Sequence, residues 1–157
     1  MVEKLNSVVS EEYLPNDKVL YVCRANMGRS QVAASLHNHY APGRAESAGT
    51  QIDEISADYI EQWNGSNIVI EAMRKRGIDI SQNRRRQIDR EKAANFGKVI
   101  IMAELDARPL YLLGFDNATI WNIADLKDLK LSEADEVINE IDRRVKIVVK
   151  AQQANQL

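Results

Sequence analysis

Two uninterrupted apolar runs do most to restrict what this chain can fold into. After a leading lysine, neither KVLYV (residues 18–22) nor KVIIM (98–102) alternates with polar residues, so each reads as a strand covered on both faces. Such strands belong in parallel sheets flanked by helices, and helical periodicity does occupy the intervals between them. Residues 30–40 place Val32, Ala33, Leu36 and Tyr40 at helical spacing, and Pro42-Gly43 ends the pattern. Residues 44–50, RAESAGT, read as a shorter second strand, and 118–121 as a fourth. Residues 56–63 read as helical, ending at Asn64-Gly65; 67–76 follow with Ile68, Val69, Ala72 and Met73 on one side and Gly77 as the stop. A short helix is expected over 89–95, and another over 106–113 with Pro109 in its first turn and Gly114 at its end. The last helix is expected from Ser132, with Asp135 completing a capping pattern and Val137, Ile141, Val145 and Val148 forming one apolar face. The fold class is therefore α/β: a single three-layer domain with a four-stranded parallel sheet flanked by helices. Residues 17–157 form the domain, and 1–16 are an N-terminal extension.

Composition narrows the partners. The net charge of −2 predicts no general attraction to nucleic acid or to an anionic membrane, and no apolar run is long enough to span one. The N-terminal MVEKLNSVVSEEYLP is acidic and lacks the basic-then-apolar order of a signal peptide. One cysteine cannot close an internal disulfide, so a cytoplasmic location is expected. With one Cys and two His in the chain, no metal site or other cofactor is expected. The Arg84-Arg85-Arg86 run reads mainly as a solvated loop.

The single cysteine stands where parallel α/β folds place their ligand sites, at the carboxyl end of the first strand. Between Cys23 and the helix lie Arg24, Ala25, Asn26, Met27 and Gly28, then Arg29 and Ser30. Small residues at 25 and 28 let successive backbone N–H groups turn inward as an anion-binding nest, and the helix start adds its positive end. Both favour a thiolate over a thiol at Cys23. Arg29 can hold two phosphate oxygens with its planar fork, and Ser30 can donate to the sulfur. These parts suit attack of a thiolate on a phosphoryl group held in a loop between strand 1 and helix 1. The bland alternative is a buried structural cysteine, the common fate of a lone one.

VCRANMGRS (22–30) resembles the V-C-x-G-N-x-C-R-S loop of the low-molecular-weight protein tyrosine phosphatases, whose fold the thiol-dependent arsenate reductases share. ESAGT (46–50), EAMRKRGIDIS (71–81), RQI (86–88), KVIIM (98–102) and WNIADL (121–126) resemble further segments of that family, in the same order. The resemblance implies Cys23 as nucleophile, Arg29 as phosphate clamp and Ser30 as thiolate partner. It implies loop support from Asn26, Ser47 and Asn83, the last standing where a histidine is usual. Asp125 is implied as the acid that protonates the leaving group, with Asp128 close enough to be its alternative.

Several positions depart from the pattern. Gly28 replaces a second cysteine, Leu126 a proline after the acid, Gln31 a proline after R-S, and Ala103 an aspartate. Tyrosines that would wall an aromatic leaving group are absent, and Arg24 replaces an apolar or small residue. Arg24 either draws a second anionic group on the substrate or points to the surface. The expected activity is hydrolysis of phosphate monoesters, from phosphorylated proteins or small molecules, by a monomer or weak homodimer. The alternatives are arsenate reduction with a small external thiol, and phosphate binding without efficient turnover.

Overall fold

A computed structural model describes residues 17–52, 59–62 and 66–154 of the chain; the expected extension 1–16 lies outside them. At its centre is β1 (Val19–Cys23), buried along its whole length. It pairs in parallel with β2 (Ala45–Gly49) on one side and β3 (Lys98–Ile101) on the other. β4 (Ala118–Ile120) adds to β3, giving a four-stranded parallel sheet of order β2-β1-β3-β4. The sheet is flanked by helices in a single α/β domain, and each strand lies within a residue of its expected limits.

The apolar run of β1 is uninterrupted because the strand serves two cores. Val19, Tyr21 and Cys23 face a layer formed by α1 (Arg29–Tyr40), α2 (Asn67–Arg74) and α5 (Leu131–Gln153), among Val32, Leu36, Met73, Ile138 and Ile141. Leu20 and Val22 face the opposite layer, with Ala93 of α3 (Arg90–Ala93) and Leu112 of α4 (Leu110–Leu113). Alternate residues of a strand point to opposite faces, so a polar residue anywhere in β1 would enter one core or the other. The chain leaves β1 for β2 on one side and reaches β3 on the other. The carboxyl ends of β1 and β3 therefore flank the crevice where strand order reverses. Cys23 ends β1 there, and Met102 follows β3 beside it, its N–H donating to the Val22 carbonyl at 2.7 Å.

Several local expectations shift. The helix expected over 106–113 is two pieces: a 3-10 turn, Leu105–Ala107, and then α4. Pro109 is the N-cap of α4, not a first-turn residue, because Arg108 before it is held extended at φ −93, ψ 114. The last helix starts one residue earlier than expected, at Leu131, and its capping pattern uses Glu133, which accepts from the Lys130 N–H at 2.9 Å. Asp135 pairs with Lys75 of the α2 side instead, at 2.9 Å. On α5, Ile141, Val145 and Val148 are buried with Ala134 and Ile138, while Val137 packs only at the margin. α2 stops at Arg74, three residues before Gly77 at φ 81. Of the helix expected over 56–63, the described part is Tyr59, in an isolated bridge with Arg84, and a 3-10 turn, Ile60–Gln62; the other residues lie outside the described ones. α3 is the short helix expected over 89–95; Asp89 caps it by accepting from the N–H groups of Glu91 and Lys92. Among the described residues no helix is long and apolar enough to cross a membrane.

One buried polar chain ties the first layer together. Gln152 of α5 donates through Nε2 to the carbonyls of Asp17 (2.5 Å) and Arg44 (3.1 Å), so its Oε1 must accept. That oxygen lies 2.6 Å from His37 Nε2, and His37 Nδ1 lies 2.8 Å from the Tyr21 hydroxyl. The neutral ring with its proton on Nε2, accepting from Tyr21 at Nδ1, satisfies every partner. Burial pushes the His37 imidazole below its ordinary value of 6.5; the Gln152 bond opposes this and the Arg44 charge reinforces it. The folded protein thus refuses a proton that the unfolded chain accepts below that value. Stability is full above pH 6.5 and declines as pH falls below it. Thermal unfolding between about pH 7.5 and pH 5.5 should show this loss, and His37→Gln should flatten that part of the profile.

Candidate active site

The loop between β1 and α1 turns on Asn26, a buried non-glycine residue in the left-handed region at φ 53. Asparagine tolerates this conformation, and here its amide is fully engaged. Nδ2 donates to Ser30 Oγ (2.7 Å) and Ser47 Oγ (3.0 Å). Oδ1 accepts from the Arg86 N–H (2.8 Å) and from Gln31 Nε2 (3.2 Å). Both donors and both lone pairs are used, joining the loop to α1, to β2 and to the basic segment.

Cys23 is 3% exposed, and its sulfur lies 3.0 Å from Ser30 Oγ. Because Ser30 Oγ accepts from Asn26, its own proton is free to point at the sulfur. An Asn26→Ser30→Cys23 chain of donors therefore ends on the thiol position, where it stabilises negative charge. α1 begins at Arg29 with Gly28 as its N-cap and no side-chain cap. Among the described residues, no acceptor is bonded to the backbone N–H groups of residues 25–29. These donors and the helix start form the positive wall an anion needs.

Behind the loop lies a second layer of amides. Gln31 Nε2 also donates to the carbonyls of Asn26 (3.2 Å) and Arg84 (2.9 Å), while its Oε1 accepts from Asn83 Nδ2 at 3.2 Å. Asn83 also reaches Ser35 Oγ at 3.2 Å. The basic run is not simply solvated: Arg85 is buried, and its Nε donates to the Ala25 carbonyl at 2.9 Å. Arg84 lies over the Tyr59 ring, and exposed Arg86 pairs with Glu46 at 3.5 Å.

Arg29 is 5% exposed and held from three directions. Nη1 donates to the carbonyls of Met102 (2.8 Å) and Ile123 (3.2 Å), and Nη2 pairs with Glu104 Oε1 at 2.7 Å. One side chain thus joins the start of α1 to the segments that follow β3 and β4. Glu104 Oε2 in turn accepts from Arg24 Nε at 3.2 Å, and Arg24 Nη2 pairs with Asp106 at 2.8 Å. Arg24, partly exposed, is held by two carboxylates, Glu104 and Asp106. Burial pushes the Glu104 carboxyl up, but its own backbone N–H and the Arg29 and Arg24 guanidiniums outweigh this, and it sits below its ordinary value of 4.5.

Asp125 and Asp128 are both exposed on the segment between β4 and α5. Asp125 accepts from the Lys127 N–H at 3.2 Å, and Asp128 takes a left-handed φ of 62. Among the described residues, no hydrogen bond brings either to Cys23. Leu126 is buried, and a Cβ added at Gly28 would lie 3.5 Å from its Cδ1. The glycine in place of a cysteine and the leucine in place of a proline thus face each other across the loop.

The sequence profile of the low molecular weight phosphotyrosine protein phosphatases matches residues 18–156. The chain belongs to this family. No curated protein sequence matches it. Among solved structures it is similar to the thioredoxin-dependent arsenate reductase Cg_ArsC1' of Corynebacterium glutamicum, with 27% identity over 98% of this chain and 72% of that one and a TM-score of 0.66. It shares the fold of the YwlE arginine phosphatase of Geobacillus stearothermophilus, with 21% identity, 88% and 94% coverage and a TM-score of 0.70. It also shares that of the low molecular weight protein tyrosine phosphatase of T. tengcongensis, with 20% identity, 85% and 97% coverage and a TM-score of 0.68. The family and its fold thus include both phosphatases and arsenate reductases.

Hydrogen bonds join Cys23, Ser30, Asn26 and Ser47, and through Gln31 Asn83, into one network, while Arg29 joins Met102, Ile123 and Glu104 instead. Sequence reasoning missed Glu104, Gln31 and Arg85 as its supports. Glu104 carried a usable signal, a carboxylate just beyond a strand end level with Cys23; Arg85 carried none. Gly49 is the tightest point. A Cβ there would come within 2.8 Å of the Arg24 carbonyl and 2.9 Å of the Asn26 nitrogen, both backbone atoms. Gly49→Ala should therefore displace the loop, lowering stability in urea by about 1–3 kcal/mol and weakening phosphate binding in calorimetry. Unchanged phosphate affinity would show that the loop tolerates the shift.

Proposed function

We propose that the protein hydrolyses phosphate monoesters through a cysteinyl-phosphate intermediate, acting on a phosphotyrosine-like or small phosphorylated substrate in the cytoplasm. The observation that carries this reading is the donor chain ending on Cys23, 3.0 Å from Ser30, beneath backbone N–H groups with no acceptor among the described residues. In the first step the Cys23 thiolate attacks phosphorus, and the ester oxygen leaves with a proton from Asp125. The N–H groups and Arg29 hold the phosphoryl oxygens as charge builds on them. In the second step water attacks the phosphorus of the S–P bond and gives a proton to Asp125. The thiolate departs, stabilised by the Ser30 hydroxyl. The N–H donors and Arg29 supply the positive charge, so the scheme calls on no cofactor.

A second reading has its own support in the similarity to an arsenate reductase at 27% identity. With one cysteine in the chain, the reductant must come from outside. Cys23 would bind arsenate through sulfur, and a soluble thiol would then attack that sulfur, leaving a mixed disulfide and arsenite.

Assays on wild type and Cys23→Ser separate the readings. Hydrolysis of p-nitrophenyl phosphate that vanishes in Cys23→Ser supports the phosphatase. Arsenate-dependent consumption of a soluble thiol without esterase activity supports the reductase. Phosphate binding with neither activity points to a binding protein. Asp125→Ala should slow alkyl phosphates by about a hundredfold or more while sparing esters with good leaving groups. If Asp128→Ala produces that pattern instead, the acid is Asp128.

A further inference from the structure

We propose that Arg24 is a positioning residue that keeps Glu104 from closing on the anion-binding edge of Arg29. The inference rests on the reading of Arg29 as the phosphate clamp. It replaces the idea that Arg24 receives a second anionic group of the substrate.

The argument is a count of donors on one guanidinium. Arg29 offers five N–H groups. Its two Nη1 hydrogens face the carbonyls of Met102 and Ile123, and Nη2 forms an ion pair with Glu104 Oε1 at 2.7 Å. Among the described residues Nε has no bonded acceptor, which leaves the Nε–H edge available to a phosphoryl group. Carboxylates prefer to meet guanidiniums through both oxygens. With Nη1 occupied, the one second N–H that Glu104 could take is Nε–H, and taking it would cover the substrate's edge.

Arg24 prevents this by holding the other oxygen. Its Nε donates to Glu104 Oε2 at 3.2 Å. Its own plane is fixed by Asp106 at 2.8 Å on Nη2 and by Gln51 Oε1 at 3.1 Å on Nη1. The carboxylate is therefore shared between two guanidiniums, one oxygen to each, and Arg29 keeps its free edge. Asp106 and Gln51 hold Arg24 in position, and Glu104 transmits that position to Arg29.

The test measures binding of inorganic phosphate and of vanadate to the full chain by calorimetry, so it does not depend on turnover. Arg24→Ala should weaken both by about tenfold, the scale of one charge-assisted hydrogen bond. Adding Glu104→Gln should restore affinity to within about threefold of wild type, because an amide does not compete for a guanidinium as a carboxylate does. A purely structural role for Arg24 predicts no such rescue. Should Arg24→Ala fail to fold, Arg24→Gln keeps the apolar stem and carries the same expectation. Wild-type affinity in the single variant, or a loss that Glu104→Gln does not reverse, overturns the inference while leaving the clamp reading intact. A wild-type protein that binds neither oxyanion overturns both.

Discussion

The left-handed turn at Asn26 is the constraint from which the site is built. A chain leaving a buried strand must reverse its N–H groups inward before it can start a helix, and that requires a residue able to adopt φ 53. Asn26 meets the requirement and then holds the conformation through a completely engaged amide. Its partners come from α1, from β2 and from the segment around Arg86, so the loop is braced by elements distant in sequence. Leaving any of these buried groups unpaired would cost about 1–3 kcal/mol, which is why the surrounding polar residues are so closely matched.

Arg29 links what Asn26 does not. Its guanidinium gathers the segment after β3 and the segment after β4, the latter carrying both candidate acids. In a site 5% exposed at this residue, a cation without acceptors would be unfavourable, and the carbonyls and Glu104 provide them. The same contacts orient the plane on which the proposed chemistry depends. Structural need and functional need are met by one arrangement.

Several positions where this chain departs from the family pattern meet complementary partners in space. Gly28 faces Leu126. Gln31 bonds Asn83 across the back of the loop. Arg24 is held by Glu104 and Asp106 at the mouth. Taken singly along the sequence, these changes look like erosion of a site. Packed together, each is the complement of another: volume beside Gly28, an amide for an amide, a carboxylate for a guanidinium.

What the amino-acid sequence determined by itself is the sheet, its parallel sense and the strand–loop–helix unit whose helix begins at Arg29. Those follow from local patterns: two apolar runs that must be covered on both faces, and a turn-tolerant residue between a strand and a helix. The limits of helices were less legible, because Arg108 before Pro109 and Glu133 in the first turn of α5 decide them through single backbone angles and caps. The supports of the site were decided in three dimensions. Glu104, Gln31 and Arg85 take their meaning from partners as many as 80 residues away in sequence, where Glu104 meets Arg24. A charged or amide side chain carries no periodicity that reveals its partner. Glu104 reaches its partners only because β1 pairs with β3, and Gln31 and Arg85 reach theirs because the segment around Gln87 lies against the end of β2.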